Sequence, residues 1–280
     1  MRFDPLAGCL DTPLYGVRLV AAAPRAVLVI VHGIGEHAGR YAATMQYLAA
    51  QGITSYAYDQ RGHGRSPGER TDIERFGILV DDLQGIVSGV RGLHTGLPLA
   101  VWGHSMGSIV VGQGAPAIAA ATSAIITSGC PMSVHERAAP WLLPPLRLVA
   151  RAAPTARIHS VFDVSALSRD ELVQREFLAD PLVERSATLR LLVAIGTALT
   201  GIREHAPHVR IPWLAAHGAE DRIAPQRGSQ DLIELLGSAD KRLLLIPQAR
   251  HELHNELEPA RSQFLAALVR WVLDHGARLE

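Results

Sequence analysis

Leu99–Ser108 reads LAVWGHSMGS. The first half is the short apolar run of a buried strand, and the second half opens a segment with helical patterning. Between them Gly103-His104-Ser105-Met106-Gly107 fits G-x-S-x-G, the pattern of a nucleophilic serine on a strand-to-helix turn. A serine on so tight a turn is held in a strained backbone conformation, and bulky residues two positions either side would meet the adjoining strand and helix. That is the physical reason for the glycines. The competing reading is a glycine-rich turn with an ordinary N-cap serine; the strand context and the partners described below outweigh it.

On either side of this stretch, short apolar runs alternate with longer helical patterns. Residues 26–31 (AVLVIV), 53–58, 99–102, 123–127, 212–217 and 242–246 predict strands apolar on both faces, as a parallel sheet covered by helices requires. Residues 41–51, 76–93, 105–117, 225–236 and 259–275 predict helices. This β-α-β-α alternation belongs to an α/β sheet. It breaks between about Pro131 and His208, a stretch with Pro140, Pro144, Pro145, Pro154 and Pro181, amphipathic pieces at 141–151 and 186–203, and no clear strand. The expected organisation is a core of residues 1–130 and 209–280 with a helical insertion at 131–208. An insertion after the carboxyl end of a strand would lie over the crevice where open α/β sheets bind ligands, as a lid.

A serine hydroxyl needs a base to become a nucleophile. His251 follows the predicted strand RLLLIP, and Asp221 follows PWLAAHG, so both fall at carboxyl ends of strands, on the edge that carries Ser105. The chain order Ser–Asp–His suits a triad in which His251 is the general base and Asp221 orients it. Glu220 competes with Asp221 and His254 with His251; the spacing from Gly218 favours Asp221, and direct succession to the strand favours His251. The oxyanion donors are expected to be the backbone N–H groups of Met106, after the nucleophile, and Ile34, in His32-Gly33-Ile34-Gly35. The loop from Asp59 to Ser66 predicts a pinned turn held by the charges of Asp59 and Arg61. His251 and His254 lack a third ligand at sensible spacing for a metal, so neither metal nor cofactor is expected.

Among 280 residues, 48% are apolar, enough for one large domain or one domain with an insertion. The 27 basic and 27 acidic residues cancel without forming a basic block, which excludes a nucleic-acid partner. Cys9 and Cys130 form no C-x-x-C pair and read as thiols of a reducing cytoplasm. The opening MRFDPLAG lacks the apolar core of a signal peptide, and the apolar stretch 189–202 is interrupted by Arg190, Gly196, Thr197 and Thr200. A soluble cytoplasmic protein is expected; the oligomeric state stays open.

Four blocks, HGIGEHAGRY from His32, YDQRGHGRSPGER from Tyr58, GHSMG from Gly103 and HELHNE from His251, resemble the monoglyceride lipase family of α/β-hydrolases, with a weaker echo in LADPLV from Leu178. Ser108 departs from the glycine usual there, and its small size should preserve close packing. The resemblance implies the α/β-hydrolase fold, a mostly parallel central sheet with helices on both faces and a helical cap insertion. It implies hydrolysis of monoacylglycerols to glycerol and fatty acid through an acyl-enzyme, without a cofactor. The alternatives are a lysophospholipase or general carboxylesterase with the same triad and, in another class, a non-catalytic lipid-binding homologue. Glu36, Arg40 and His254, near the oxyanion loop and the base, match positions with which the family contacts glycerol; the alternative is that Glu36 and Arg40 pair with each other. The implied partners are a lipid ester and, transiently, a membrane surface met through the cap, which would make the location peripheral. The stripes Leu142, Leu143, Leu146, Val149 and Leu189, Leu192, Leu199 suit either lipid contact or docking on the core.

Overall fold

The computed structural model describes residues 4–5, 13–133, 143–159 and 163–275. The predicted apolar runs become β3 (Ala26–Val31), β4 (Ile53–Tyr58), β5 (Leu99–His104), β6 (Ala124–Ser128), β9 (Trp213–Gly218) and β10 (Lys241–Ile246). Neighbours among these six run parallel, β4 beside β3, then β5, β6, β9 and β10. Two strands not foreseen, β1 (Asp4–Pro5) and β2 (Gly16–Leu19), extend the β4 edge antiparallel and complete an eight-stranded sheet. The β2 segment GVRL is too short, and too mixed in burial, to show a period.

Every residue of β3 to β6 and of β9 is buried, because helices cover both faces. Successive residues of β3 serve opposite cores. Val27, Val29 and Val31 join one cluster, built with α2 (Gly77–Leu93) and α3 (Met106–Ile118) through Leu83, Ile109 and Val110. Ala26, Leu28 and Ile30 join the other, built with α1 (Ala42–Ala50) and the C-terminal helix Ala260–Asp274 through Met45, Leu48 and Phe264. This is the period-two alternation of a strand, with both faces apolar.

Between β6 and β9 lie α4 (Leu143–Ala152), α5 (Glu171–Ala179) and α6 (Leu189–His205). The segment is not purely helical as expected. Arg157–His159 (β7) and Ser186–Thr188 (β8) pair antiparallel as a two-stranded ribbon. All three residues of β7 are exposed, so no apolar run announces the strand. Thr188 caps α6 by accepting a hydrogen bond from Leu191 N at 3.2 Å, which starts the helix at Leu189 rather than 186.

The stripe on α6 docks on the core. Leu199 is 2% exposed and Ile202 fits where Gly112 of α3 has no side chain; a Cβ there would lie 3.0 Å from Ile202 Cδ1. On α4, Leu148 is 67% exposed and Val149 51%. Leu142 and the side chains of Leu143 and Leu146 lie outside the described residues. The later half of the insertion is tied down by backbone and side-chain bonds: Glu184 N to Gly35 O at 2.9 Å, Glu252 N to Leu167 O at 2.7 Å, Thr71 Oγ1 to Ser186 O at 2.6 Å and His37 Nε2 to Asp180 Oδ2 at 2.8 Å. Asp180 and Glu184 lie in and just after LADPLV, so that block meets HGIGEH in space.

Burial predicts how the two helices respond to truncation. Leu199→Ala should destabilise the protein by about 2–5 kcal/mol in urea unfolding, whereas Leu148→Ala should stay within about 0.5 kcal/mol. Equal effects would mean that α4 is docked as closely as α6.

Candidate active site

The elbow around Ser105 is made by backbone approaching backbone. A Cβ on Gly107 would lie 2.7 Å from His32 O and collide with the Val31 carbonyl; one on Gly103 would lie 2.8 Å from Ser108 Cα. Strand β5, helix α3 and the end of β3 therefore meet where only glycine fits. Ser105 takes φ 52° and ψ −119°, a conformation costing about 1–3 kcal/mol. Its N–H donates to Ser128 O at 2.9 Å, and the Ser108 hydroxyl donates to Ser105 O at 2.5 Å. The departure at Ser108 thus ties down the elbow's own carbonyl. Ser105 stays 9% exposed, just reaching the crevice.

Met106 is the first residue of α3, so its N–H has no acceptor within the helix and stands at the positive end of the dipole. Ile34 follows Gly33, whose missing side chain lets the loop run beside the serine: a Cβ at Gly33 would lie 3.1 Å from Ser105 Cβ. His32 holds this loop, donating from Nδ1 to Gly33 O at 2.7 Å and accepting at Nε2 from Gln60 N at 2.9 Å.

Asp221 and His251 come together as expected. His251 Nδ1 donates to Asp221 Oδ2 at 2.7 Å, with both side chains buried. Asp221 Oδ1 accepts from the N–H groups of Ile223 at 2.8 Å and Ala224 at 2.9 Å. Gly129, next to the residue that holds Ser105 N, leaves room for the imidazole, since a Cβ there would lie 2.8 Å from His251 Cε1. Ser105 and His251 thus flank the carboxyl end of β6. Burial disfavours the imidazolium of His251, but the Asp221 carboxylate, aided by Glu252 and Glu36, holds its pKa above the ordinary histidine value. Burial would raise the Asp221 carboxyl; His251 and His217 outweigh it and keep it well below the usual carboxylate range.

Glu36, Arg40 and His254 lie close together but buried, around a residue the sequence did not single out, Glu252. Arg40 Nη2 donates to Glu252 Oε1 at 2.7 Å and Oε2 at 2.6 Å, and Arg40 Nε lies 3.7 Å from Glu36 Oε2. The pairing of Glu36 with Arg40 is therefore present but secondary to the bond that Glu252 makes with Arg40 Nη2. Tyr41 OH donates to Glu36 Oε2 at 3.2 Å; burial, then Glu252, pushes the Glu36 pKa up to about 7. His254 stacks on Tyr41 with ring centroids 4.7 Å apart and touches His104, which in turn touches His251 at 4.8 Å. Among the described residues neither ring nitrogen of His254 has a hydrogen-bond partner. Glu36, His104 and Glu252 bring possible ligand atoms within 4.8 Å of one another, but a cation there would compete with Arg40 for Glu252.

The loop after β4 is pinned, though not through an Asp59–Arg61 pair. Asp59 accepts from Ala38 N and from Arg65 N, each at 2.7 Å, and Arg61 instead pairs with Asp82 at 2.7 and 3.0 Å. Unfilled backbone N–H groups inside a loop are better partners for a buried carboxylate than a mobile guanidinium two residues away. His104, His217 and Glu252 all stand inside or beside the sequence blocks quoted above, but adjacency in sequence could not say which partners they meet.

The sheet order, together with a strained serine, a buried aspartate and a histidine in that chain order, defines the class as an α/β-hydrolase. The chain belongs to the monoglyceride lipase family of these hydrolases: the profile described as serine aminopeptidase, S33 matches residues 22–258, and similarity to lipases of the family extends along most of the chain. It is 34% identical over 256 residues to a monoacylglycerol lipase of Mycolicibacterium smegmatis, covering 90% of this chain and 89% of that protein. It is 29% identical over 257 residues to the monoglyceride lipase of Homo sapiens, covering 91% and 84%. The crystal structure of Paleococcus ferrophilus monoacylglycerol lipase superposes with a TM-score of 0.82 at 25% identity, over 95% of this chain and 100% of that one.

The Asp221 contact sets a sign for titration. In NMR the His251 imidazole should titrate above the ordinary histidine value of about 6.5, and Asp221→Asn should bring it down. A midpoint at or below that value in the unmodified protein would contradict the pairing.

Proposed function

We propose that this protein hydrolyses monoacylglycerols to glycerol and free fatty acid. The observation that carries the reading is the buried His251–Asp221 hydrogen bond of 2.7 Å, at the sheet edge that presents Ser105 on its strained turn. Ser105 Oγ attacks the ester carbonyl while His251 Nε2 accepts its proton. The N–H groups of Met106 and Ile34 receive the negative oxygen of the tetrahedral intermediate. His251 then protonates the leaving glycerol alkoxide, and water repeats the cycle on the acyl-enzyme. Asp221 keeps the tautomer and stabilises the imidazolium. The glycerol-ester preference rests on the relatives' activities; a lysophospholipase or general carboxylesterase would use the same residues.

Residues 131–208 act in this reading as a cap on a core of 1–130 and 209–280. Among the described residues no helix is long and apolar enough to cross a membrane. The exposed Leu148 and Val149 of α4 support transient contact with a lipid surface, and the cysteine usage supports a cytoplasmic location. Within the polar cluster, His254 keeps two ring nitrogens that are unpartnered among the described residues for a glycerol hydroxyl, with Glu36 beside it, while Arg40 and Glu252 hold the cluster in place.

A hydrolysis panel tests the substrate. Monoacylglycerols, presented on vesicles, should exceed di- and triacylglycerols, lysophospholipids and p-nitrophenyl esters in kcat/KM. Ser105→Ala should lower kcat about 10³-fold or more while leaving Tm unchanged. Turnover by that variant at the normal rate would end the reading.

The cluster should divide by substitution. His254→Ala should raise KM for monoacylglycerol about 10-fold, one lost hydrogen bond, and hardly change turnover of a p-nitrophenyl ester. Arg40→Ala leaves the buried Glu252 charge unpaired, so it should cost about 3–5 kcal/mol of stability and reduce both activities in parallel. Parallel losses from His254→Ala as well would make the whole cluster structural.

A further inference from the structure

We infer that His217 is a positioning residue of the triad, a second N–H donor that orients Asp221 and shares its charge with His251. His217 is the penultimate residue of β9, four before Asp221, and its side chain is wholly buried. Its Nε2 lies 3.0 Å from Asp221 Oδ2, the oxygen that also accepts from His251, and 2.9 Å from Ala224 O. Both neighbours are acceptors only, so Nε2 carries the proton. Nδ1 lies 2.7 Å from Ser229 Oγ, whose hydroxyl donates to it. Ser229 and Ala224 thus fix the orientation of the His217 ring without help from the triad.

Two consequences follow for Asp221. Its carboxylate accepts from Ile223 and Ala224 on Oδ1 and from His251 on Oδ2, where His217 Nε2 also stands 3.0 Å away with its proton shared between Oδ2 and Ala224 O, so rotation away from His251 is opposed. Its negative charge is also divided between two imidazoles. Removing the His217 N–H leaves more of that charge for His251 and makes His251 more basic. The other titratable groups acting on His251 are His104, His254, Glu252 and Glu36, and among the described residues none of them is hydrogen bonded to Asp221.

The inference rests on the reading that His251 is the general base, so the pH profile of kcat/KM is the measurement. With that base, the unmodified enzyme gains activity with rising pH through one acid limb; a profile without such a limb would overturn both the base and this inference. His217→Phe should move the limb upward by roughly half a pH unit to one unit and lower kcat about 10-fold, with KM unchanged within about twofold. His217→Gln, whose amide N–H can reach the same two acceptors, should restore both. An acid limb that stays in place in His217→Phe, with only Tm lowered, would overturn the positioning role and leave the base intact. Should the phenylalanine variant fail to fold, ¹⁵N NMR of the unmodified protein decides. The His217 ring proton should be found on Nε2, facing Asp221 Oδ2 and Ala224 O; a His217 proton on Nδ1 would overturn the inference.

Discussion

The arrangement depends on a contact that contains no side chain. At the turn after β5, Gly103 and Gly107 bring the strand, helix α3 and the last carbonyls of β3 together at distances no Cβ would tolerate. That approach forces Ser105 into its left-handed conformation, and it places Ser105 within reach of two other loops. The strain, about 1–3 kcal/mol, is offset by a hydrogen bond to the next strand at Ser128 O and another from the Ser108 hydroxyl. The loop at Gly33 depends on the same geometry, since it comes beside the serine only because β3 ends where Gly107 packs.

Electrostatics then selects one histidine from several. Burial lowers His104 well below the ordinary value, His32 and His63 to about 3, and His254 to about 4. These rings stay neutral and serve as hydrogen-bonding or stacking elements. His251 is as deeply buried, yet Asp221 reverses the sign for it. Among the described residues it is the histidine whose shift is resolved upward, which fits the role of general base proposed for it. The same burial lifts Glu36 to about 7, beside a glutamate that Arg40 keeps ionised.

The insertion divides into two physical regimes. From Val164 onward it is stitched to the loops that bear the site, through Leu167, Asp180, Glu184 and Ser186, and α6 is packed on α3 by Leu199 and Ile202. Helix α4 instead presents Leu148 and Val149 to solvent.

Much of this could be read from the chain alone. Runs such as AVLVIV and LAVWGH announce buried parallel strands because both faces are apolar, and GHSMG, HGAED and the histidine after RLLLIP announce a serine, an acid and a base on one edge because strand ends set where loops fall. What the chain could not reveal was pairing. The β2 edge and the β7–β8 ribbon are too short or too exposed to carry a period, and their hydrogen bonds come from strands far away in sequence. Arg61 met Asp82 rather than Asp59, Arg40 met Glu252 more closely than Glu36, and Asp221 met His217 as well as His251. A charge or a ring nitrogen takes whichever partner folding brings within about 3 Å in a water-poor interior. Periodicity and spacing determine which elements form and which edge they share; only the packed tertiary structure decides which polar atoms on that edge touch.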